Sequence, residues 1–328
     1  MPAPASRQIL FDMMESAVSK RVFPGGVLAV SVQGEIAHLS VHGVTSVWPP
    51  GEPLKETTLF DLASLTKVVA TTSSLIRLVE QGVLSLDDFV SDIIPAFSGA
   101  GRERITIAHL LAHTSGLAAW RPFFEEVAAA NGGALLATRA GLDATRRMLA
   151  AEVPYGEPGR HVEYSDLGFM LLDWVIENAC DRPGDEMFHD LVAEPLGLEN
   201  TFFVDLKTPA RTRRARRGKT FAATERCPWR GRVISGEVHD DNSYAMGGVS
   251  GHAGLFSSAG DVLRIACTWL DSWRGNASLF ERSLVKKFWA GPGSDCIRAL
   301  GFDKPAAEGS QAGNGFGPST VGHTGFTG

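Results

Sequence analysis

Three short polar motifs lie near the start, the middle and the end of this 328-residue chain, and their placement limits how the chain can fold. They are Ser64-Leu65-Thr66-Lys67, Tyr164-Ser165-Asp166 and His323-Thr324-Gly325, and their first residues are 100 and 159 positions apart. Each motif alone is weak evidence for a site. If the three act together, the fold must bring segments from both ends of the chain and from its middle to one cleft.

The first motif lies in an apolar stretch, residues 59–81, which predicts a buried helix that begins near Ser64. Three-residue spacing places the Ser64 hydroxyl and the Lys67 amine on the same face of a helix. Burial there would destabilise the ammonium, so that Lys67 could accept the proton of a serine nucleophile. A second copy, Ser283-Leu284-Val285-Lys286, is followed by no motif that completes a site.

The other two motifs have simpler alternatives. Tyr164 precedes a predicted helix, 165–179, and its phenol could relay a proton, although a half-buried tyrosine followed by helix-capping residues fits equally well. His323-Thr324-Gly325 has the composition of a strand edge that a ligand approaches closely, or of an ordinary strand end.

Together the three motifs resemble those of the penicillin-recognising serine hydrolases, which include class C β-lactamases, other penicillin-binding proteins such as DD-peptidases, and family VIII carboxylesterases. Three more stretches are similar to the same superfamily: 110–117 (LLAHTSGL), 194–198 (EPLGL) and 254–261 (GLFSSAGD). The resemblance implies that Ser64, Lys67 and Tyr164 are catalytic, with backbone N–H groups of Ser64 and Phe326 as the oxyanion hole. It implies no metal and no organic cofactor.

The residues expected to bind substrate are Asp166, His323, Thr324, Gly325 and His252. Asp166 and His323 depart from the commoner Asn and Lys of the superfamily. A carboxylate accepts hydrogen bonds only, so Asp166 should weaken β-lactam recognition and favour the charged form of Lys67. His323 could bind a substrate carboxylate as imidazolium. For His252, a loop histidine with its hydrogen bonds satisfied is the alternative.

The element pattern predicts an α+β fold of the β-lactamase/transpeptidase-like type. A hairpin near the start, with a Gln33-Gly34 turn, and a strand carrying His323 would form one antiparallel sheet from both termini, flanked by helices. Residues 1–82 and 256–328 would form this sheet region, packed closely against a mainly helical region, 83–255, with a cleft between them. The resemblance also implies that C-terminal strands are missing.

Composition and net charge limit the kinds of molecule that this chain is expected to bind. A net charge of −6 argues against a nucleic-acid binder, so the basic stretch 211–219 is predicted to be a solvated loop. No apolar run is long enough to span a membrane, and the N-terminus is predicted to be an amphipathic helix, not a leader. A cytoplasmic location follows, or a periplasmic one if a leader was removed. The cysteines, and the histidines and acids of 239–242 with His252, fit no established metal site.

The sequence therefore predicts a cytoplasmic serine hydrolase that acts on a small ester, amide or D-amino-acid peptide through an acyl-enzyme, with a slight preference for carboxylesterase activity. A binding module on the same scaffold, which captures peptidoglycan-like or β-lactam ligands with little turnover, is the alternative. The sequence does not indicate an oligomeric state.

Overall fold

The computed structural model describes residues 4–276, 278–292, 298–306, 308–310 and 312–327, which form a mixed α+β fold, as predicted. The helices are α1 (Pro4–Ser19), α2 (Ser73–Glu80), α3 (Val90–Ile93), α4 (Ile107–Leu111), α5 (Phe123–Ala129), α6 (Arg139–Ala151), α7 (Asp166–Cys180), α8 (Gly184–Phe188), α9 (Glu194–Leu196), α10 (Pro209–Arg216), α11 (Asp241–Ala245), α12 (Ala259–Arg274) and α13 (Arg282–Ala290). The strands are β1 (Gly25–Val32), β2 (Glu35–Gly43), β3 (Phe60–Asp61), β4 (Phe202–Phe203), β5 (Ala223–Cys227), β6 (Arg232–Ser235) and β7 (Leu255–Ser257).

The N-terminal hairpin is formed as predicted. Strands β1 and β2 pair antiparallel around Gln33 and Gly34, whose φ angles of 56° and 85° belong to the left-handed region. Two consecutive positive φ angles are the geometry of a tight hairpin turn that matches the twist of the strands. Glycine meets this requirement at position 34 without strain.

Helix α1 packs against the hairpin. The sequence predicts that Ile9, Leu10, Met13, Met14 and Val18 form one apolar face of this helix, but the hairpin covers only part of it. Leu10, Met14 and Val18 are partly buried, whereas Ile9 and Met13 are exposed. Each exposed residue directly precedes a buried one and is therefore rotated by about 100° around the helix axis. The narrow two-stranded hairpin therefore covers only the side of α1 that carries Leu10, Met14 and Val18.

The described residues do not form the predicted sheet from both termini. Strands β1 and β2 form a sheet of their own, and the second sheet has the order β3-β7-β4. His323 lies outside any strand, since its segment pairs only through a single bridge between Gly322 and Asp303. This glycine-rich segment offers few side chains that a pleated sheet could bury, so one bridge forms without a ladder. The sequence before this segment, 307–317, is also rich in glycine, and its residues 307 and 311 lie outside the described part of the chain.

The segment that carries Ser64 and Lys67 begins helical structure where predicted, but with unusual geometry. A 3₁₀ turn, Ala63–Leu65, leads into a π-helical stretch, Lys67–Thr72, before α2 continues to Glu80. Strand β3, just before this turn, pairs with β7. Single-turn π segments are frequent at functional sites because they redirect side chains within a helix.

The sequence predicts a helix from Ser165 and, by the capping-box pattern Ser258-Ala259-Gly260-Asp261, another from Ser258, and the caps of both helices confirm these starts. The Ser165 hydroxyl accepts the Gly168 N–H at the start of α7, and the Ser258 hydroxyl accepts the Asp261 N–H at the start of α12. The sequence also predicts, from a weaker pattern, a helix over 184–194, and this segment forms α8 followed by a π turn, His189–Ala193.

The basic stretch 211–219 is not the predicted loop, because its first part belongs to α10. Pro209 is at the first position of this helix, where a proline starts a helix without losing a hydrogen bond. Arg213 and Arg214 are exposed, whereas Arg211 pairs with Asp185 and Asp205, and Arg216 donates to the Gly236 carbonyl. No helix in the described part of the chain combines the length and apolar character needed to cross a bilayer.

Candidate active site

The turn before Ser64 is held by a buried carboxylate. The Asp61 side chain accepts the Ala63 N–H at 2.8 Å and the His239 N–H at 2.6 Å. Ala63 has a φ of 44°, in the left-handed region that costs free energy for a residue with a Cβ. Such strain persists where the surroundings fix the backbone, and it is common at functional sites. The result is a half-exposed Ser64 at the edge of a cavity.

Lys67 lies beneath Ser64 with none of its surface exposed. Its Nζ is 2.9 Å from the Ser64 Oγ, 2.9 Å from the His252 carbonyl oxygen and 2.7 Å from Asp166 Oδ1. An ammonium has three protons to donate, and three oxygens surround this one. The predicted contact between Ser64 and Lys67 is therefore formed.

The protonation of Lys67 differs from the expectation that burial would destabilise the ammonium. Burial alone would lower the pKa of Lys67, but the negative charge of Asp166 and the contact with Tyr164 raise it above its ordinary value. Lys67 is thus an ammonium at neutral pH. The prediction that Asp166 favours the charged form of Lys67 agrees with this direction.

Tyr164 lies against Lys67 and lines the same cavity as Ser64. The Lys67 Nζ is 5.0 Å from the centre of the Tyr164 ring. The ring also packs against His113 at 4.5 Å, and the Arg298 guanidinium carbon lies 5.2 Å from its centre. The phenol is therefore held between cationic groups and an imidazole, beside the candidate nucleophile.

The imidazole beneath Tyr164 is neutral. His113 is buried, and its Nδ1 accepts the Ser165 N–H at 2.9 Å, so its proton is on Nε2. Burial and the nearby charges of Arg298 and Lys67 hold the pKa of His113 well below its ordinary value. His113 thus fixes the backbone next to Tyr164 without adding a positive charge.

The C-terminal motif forms the opposite wall of the cavity, which has a volume of about 710 Å³. Its wall includes Ser64, Tyr164, His323, Thr324, Gly325 and Phe326. The His323 ring lies 5.9 Å from the Tyr164 ring, and its Nδ1 bonds the Thr324 carbonyl at 2.7 Å. Burial and the charge of Lys67 lower the pKa of His323, against an opposing effect of Asp303. The imidazole is therefore neutral at pH 7.

His252 does not face the cavity, which corrects its assignment as a substrate-binding residue. Its side chain is 1% exposed, with Nδ1 2.8 Å from the Ser250 hydroxyl and Nε2 2.8 Å from Asp240 Oδ1. Both ring nitrogens are thus occupied by protein groups. Its backbone carbonyl, not its ring, reaches the site by binding Lys67.

The side chain of Asp166 also does not lie where a substrate-binding residue would have to lie. Its carboxylate binds the Lys67 ammonium, and its backbone N–H donates to the Ala119 carbonyl at 2.9 Å. It is not part of the cavity wall that holds Ser64 and Tyr164. An ion pair with a buried ammonium is strong enough to hold the carboxylate inward.

The sequence motifs do not identify every group at the site. Arg298 and Asp303 line the cavity and form an ion pair with each other. The Phe326 ring, next to the expected oxyanion-hole amide, stacks on His239 at 4.8 Å. Arg298, Asp303 and His239 belong to segments that tertiary packing brings to the site, and none of the three motifs contains them.

Comparison with known proteins identifies relatives over nearly the whole chain. The family model described as Beta-lactamase matches residues 9–328. The chain is 34% identical to the N-acetylmuramyl-L-alanine amidase of Bacillus subtilis (strain 168), over 93% of this chain and 73% of the relative. It is 31% identical to the "Putative D-alanyl-D-alanine carboxypeptidase" of Escherichia coli (strain K12), over 97% and 77%.

The fold is also similar to that of solved structures. The octameric penicillin-binding protein homologue from Pyrococcus abyssi superposes with a TM-score of 0.69 at 19% identity. This match covers 92% of the present chain, which spans 65% of the length of that protein.

Proposed function

Because the chain belongs to the Beta-lactamase family, we propose that it is a serine hydrolase that cleaves a small amide or ester through an acyl-enzyme on Ser64. The observation that carries this proposal is the 2.9 Å contact between the Ser64 hydroxyl and the buried Lys67 ammonium, at a cavity that Tyr164 also lines. A serine needs such neighbours because its own pKa is too high for nucleophilic attack.

In the proposed reaction the Ser64 Oγ forms a bond to the substrate carbonyl carbon, and its proton passes to Tyr164. Tyr164 enters this step as a phenolate, which the proton converts to the phenol, and the Lys67 Nζ lies 5.0 Å from its ring centre. The tetrahedral oxyanion binds the backbone N–H groups of Ser64 and Phe326. The bond to the leaving group then breaks, and the proton moves from Tyr164 to that group. Water hydrolyses the ester on Ser64 by the reverse proton path.

For the substrate, the relatives favour an amide over the ester that the sequence slightly preferred. The two curated relatives above are named for enzymes that cleave amide bonds of muramyl and D-alanyl peptides. We therefore place a peptidoglycan-derived amide first and a carboxylic ester second. The cytoplasmic location stays a prediction.

Three substrates separate these activities: a D-Ala-D-Ala peptide, p-nitrophenyl butyrate and nitrocefin. Each is assayed with the parent protein, with Ser64→Ala and with Ser283→Ala, which alters the second copy of the motif on the exposed start of α13. We expect turnover that Ser64→Ala abolishes and Ser283→Ala leaves unchanged. Turnover that persists in Ser64→Ala would refute Ser64 as the nucleophile.

One observation favours the binding-module alternative. The ion pair with Asp166 keeps Lys67 protonated, so Lys67 cannot act as a resting base. Intact-mass measurement after treatment with a fluorophosphonate decides between the two functions. An adduct on Ser64 supports the hydrolase, whereas ligand binding without an adduct supports the binding module.

A further inference from the structure

Four aromatic side chains form a continuous, partly exposed surface that the proposed chemistry does not use. We call it the aromatic platform, and its members are Trp120, Phe124, Trp229 and Tyr244. Ring centres are 6.4 Å apart for Trp120 and Phe124, 5.3 Å for Phe124 and Trp229, and 5.8 Å for Trp229 and Tyr244. Trp120 is 45% exposed and Trp229 is 39% exposed. A contiguous exposed apolar surface of this kind is typical of a binding site.

The Trp229 ring is held rigidly despite its exposure. Its indole N–H donates to Asp241 Oδ1 at 3.0 Å. The buried Arg230 guanidinium lies 5.0 Å from the Trp229 ring centre and 4.1 Å from that of Tyr244. Arg230 in turn binds Asp241 at 2.7 Å. A side chain fixed in this way has already lost its rotamer freedom, so a ligand that covers it pays little further entropy.

The platform is joined to the segments that hold Lys67. Asn242 is fully buried, and its side chain donates to the Arg121 carbonyl at 2.8 Å and accepts the Phe124 N–H at 2.9 Å. Trp120 directly follows Ala119, whose carbonyl binds the backbone of Asp166. Contacts through Ala119, Asp166 and Lys67 thus lead from the platform to Ser64, and they support a substrate that touches both.

The chemistry of this surface suggests its ligand. Aromatic faces attract flat apolar C–H surfaces. Charged groups lie at two edges: the partly exposed Asp241 carboxylate beside Trp229, and the Arg121 guanidinium beside Trp120. A carboxylate and a guanidinium can form hydrogen bonds with the hydroxyl and amide groups of a ligand. A pyranose ring carries an apolar C–H face and a rim of hydroxyls, whereas a D-alanyl peptide has only small methyl side chains.

We propose that the aromatic platform binds the sugar ring of a glycosylated peptide, so that the enzyme prefers an amide substrate that carries an amino sugar. The proposal rests on the hydrolase function, since it assigns part of the substrate of the same site. It makes Trp120 and Trp229 determinants of substrate specificity.

Binding to the Ser64→Ala protein tests this proposal without turnover. N-acetylmuramyl-L-alanine and N-acetyl-L-alanine are titrated by calorimetry, because they differ by the sugar. We expect roughly tenfold tighter binding of the sugar-bearing ligand, equivalent to about 1.4 kcal/mol. Trp229→Ala and Trp120→Ala should abolish this preference. Trp229→Phe, which keeps an aromatic face, should retain part of it, and Trp273→Ala on α12 should retain all of it.

Equal Kd values for the two ligands in the Ser64→Ala protein would overturn the proposal, as would an unchanged preference in both platform variants. An equal loss in Trp273→Ala would do the same. Circular dichroism of each variant shows whether it is folded. If the proposed hydrolase function is wrong, no fluorophosphonate adduct forms on Ser64. The binding measurement can still be interpreted in that case, because it does not depend on turnover.

Discussion

The ammonium of Lys67 is enclosed by oxygen atoms of the protein. A hydroxyl, a carbonyl oxygen and a carboxylate all lie within 3 Å of it, and none of its surface reaches solvent. Such an ion costs free energy to bury, and its partners must supply compensating hydrogen bonds. In the proposed mechanism its role is electrostatic, because it keeps its proton and holds a positive charge beside Ser64 and Tyr164.

Asp166→Asn tests this role. The carboxylate raises the pKa of Lys67, so its removal should lower that pKa. Because the proposed mechanism uses Lys67 as an ammonium, the fall of kcat/KM on the alkaline side should then move to lower pH. The gain in β-lactam acylation that the sequence predicts for this variant requires residue 166 to donate to a ligand carbonyl, whereas the Asp166 carboxylate binds Lys67 and lies outside the cavity wall. The measurement is a pH–rate profile, with Asp143→Asn as the control for loss of one negative charge at an exposed position. An unmoved profile would contradict the role of Asp166.

His323 makes a second pH-dependent prediction. Because burial lowers the pKa of this imidazole, it gains its proton below the ordinary value of 6.5. If its imidazolium binds a substrate carboxylate, kcat/KM for carboxylate-bearing substrates should rise as pH falls below that value. Neutral substrates should show no such rise. His323→Gln should remove the difference between the two profiles, and identical profiles in the parent protein would exclude the role.

Helix α7 places two acidic groups in contrasting environments. At its start Asp166 is ion-paired with Lys67, whereas Asp173, two turns later, is buried and forms no ion pair with the residues that the structure describes. Burial and the charge of Glu177 raise the pKa of Asp173 to about 7, although Arg146 opposes this shift. The close approach of Gly184 and Gly251 explains the burial, since a Cβ at either position would collide with the Asp173 side chain.

Asp173→Asn should therefore stabilise the protein in a pH-dependent way. The folded state keeps the Asp173 proton between pH 3.8 and about 7, where the unfolded chain releases it, so stability falls as pH rises through this window. An uncharged isostere removes this loss. We expect the variant to gain Tm at pH 8 and to gain much less at pH 5, as followed by thermal denaturation. An equal change at both pH values would show that Asp173 is not protonated in the folded state.

At the scale of the whole molecule, Asp61 connects parts of the chain that are far apart in sequence. Its carboxylate binds the amides of Ala63 and His239, and its carbonyl accepts the Thr327 hydroxyl. The turn before Ser64, the loop before α11 and the C-terminal segment thus meet at one buried residue. The cavity depends on this meeting, because its walls come from the same regions.

Asp61→Ala should weaken this junction. Two buried N–H groups would lose their acceptor, at a cost of about 1–3 kcal/mol each. We expect a lower Tm and faster hydrogen exchange at the Ala63 and His239 amides. Asp61→Asn, which keeps the shape and one acceptor oxygen, should show a smaller effect. A Tm unchanged by Asp61→Ala would show that water replaces the carboxylate.

The sequence by itself determined the local features and the family. The Gln33-Gly34 turn, the capping serines of α7 and α12 and the turn at Ser64 depend on neighbouring residues, whose side chains satisfy backbone groups nearby. The tertiary structure decided the rest. The partners of Lys67, the inward orientation of His252 and the pairing of the C-terminal segment arise from contacts between distant residues, and burial sets their charges. No local pattern encodes desolvation, which is why the protonation of Lys67 could be judged only once the fold was known.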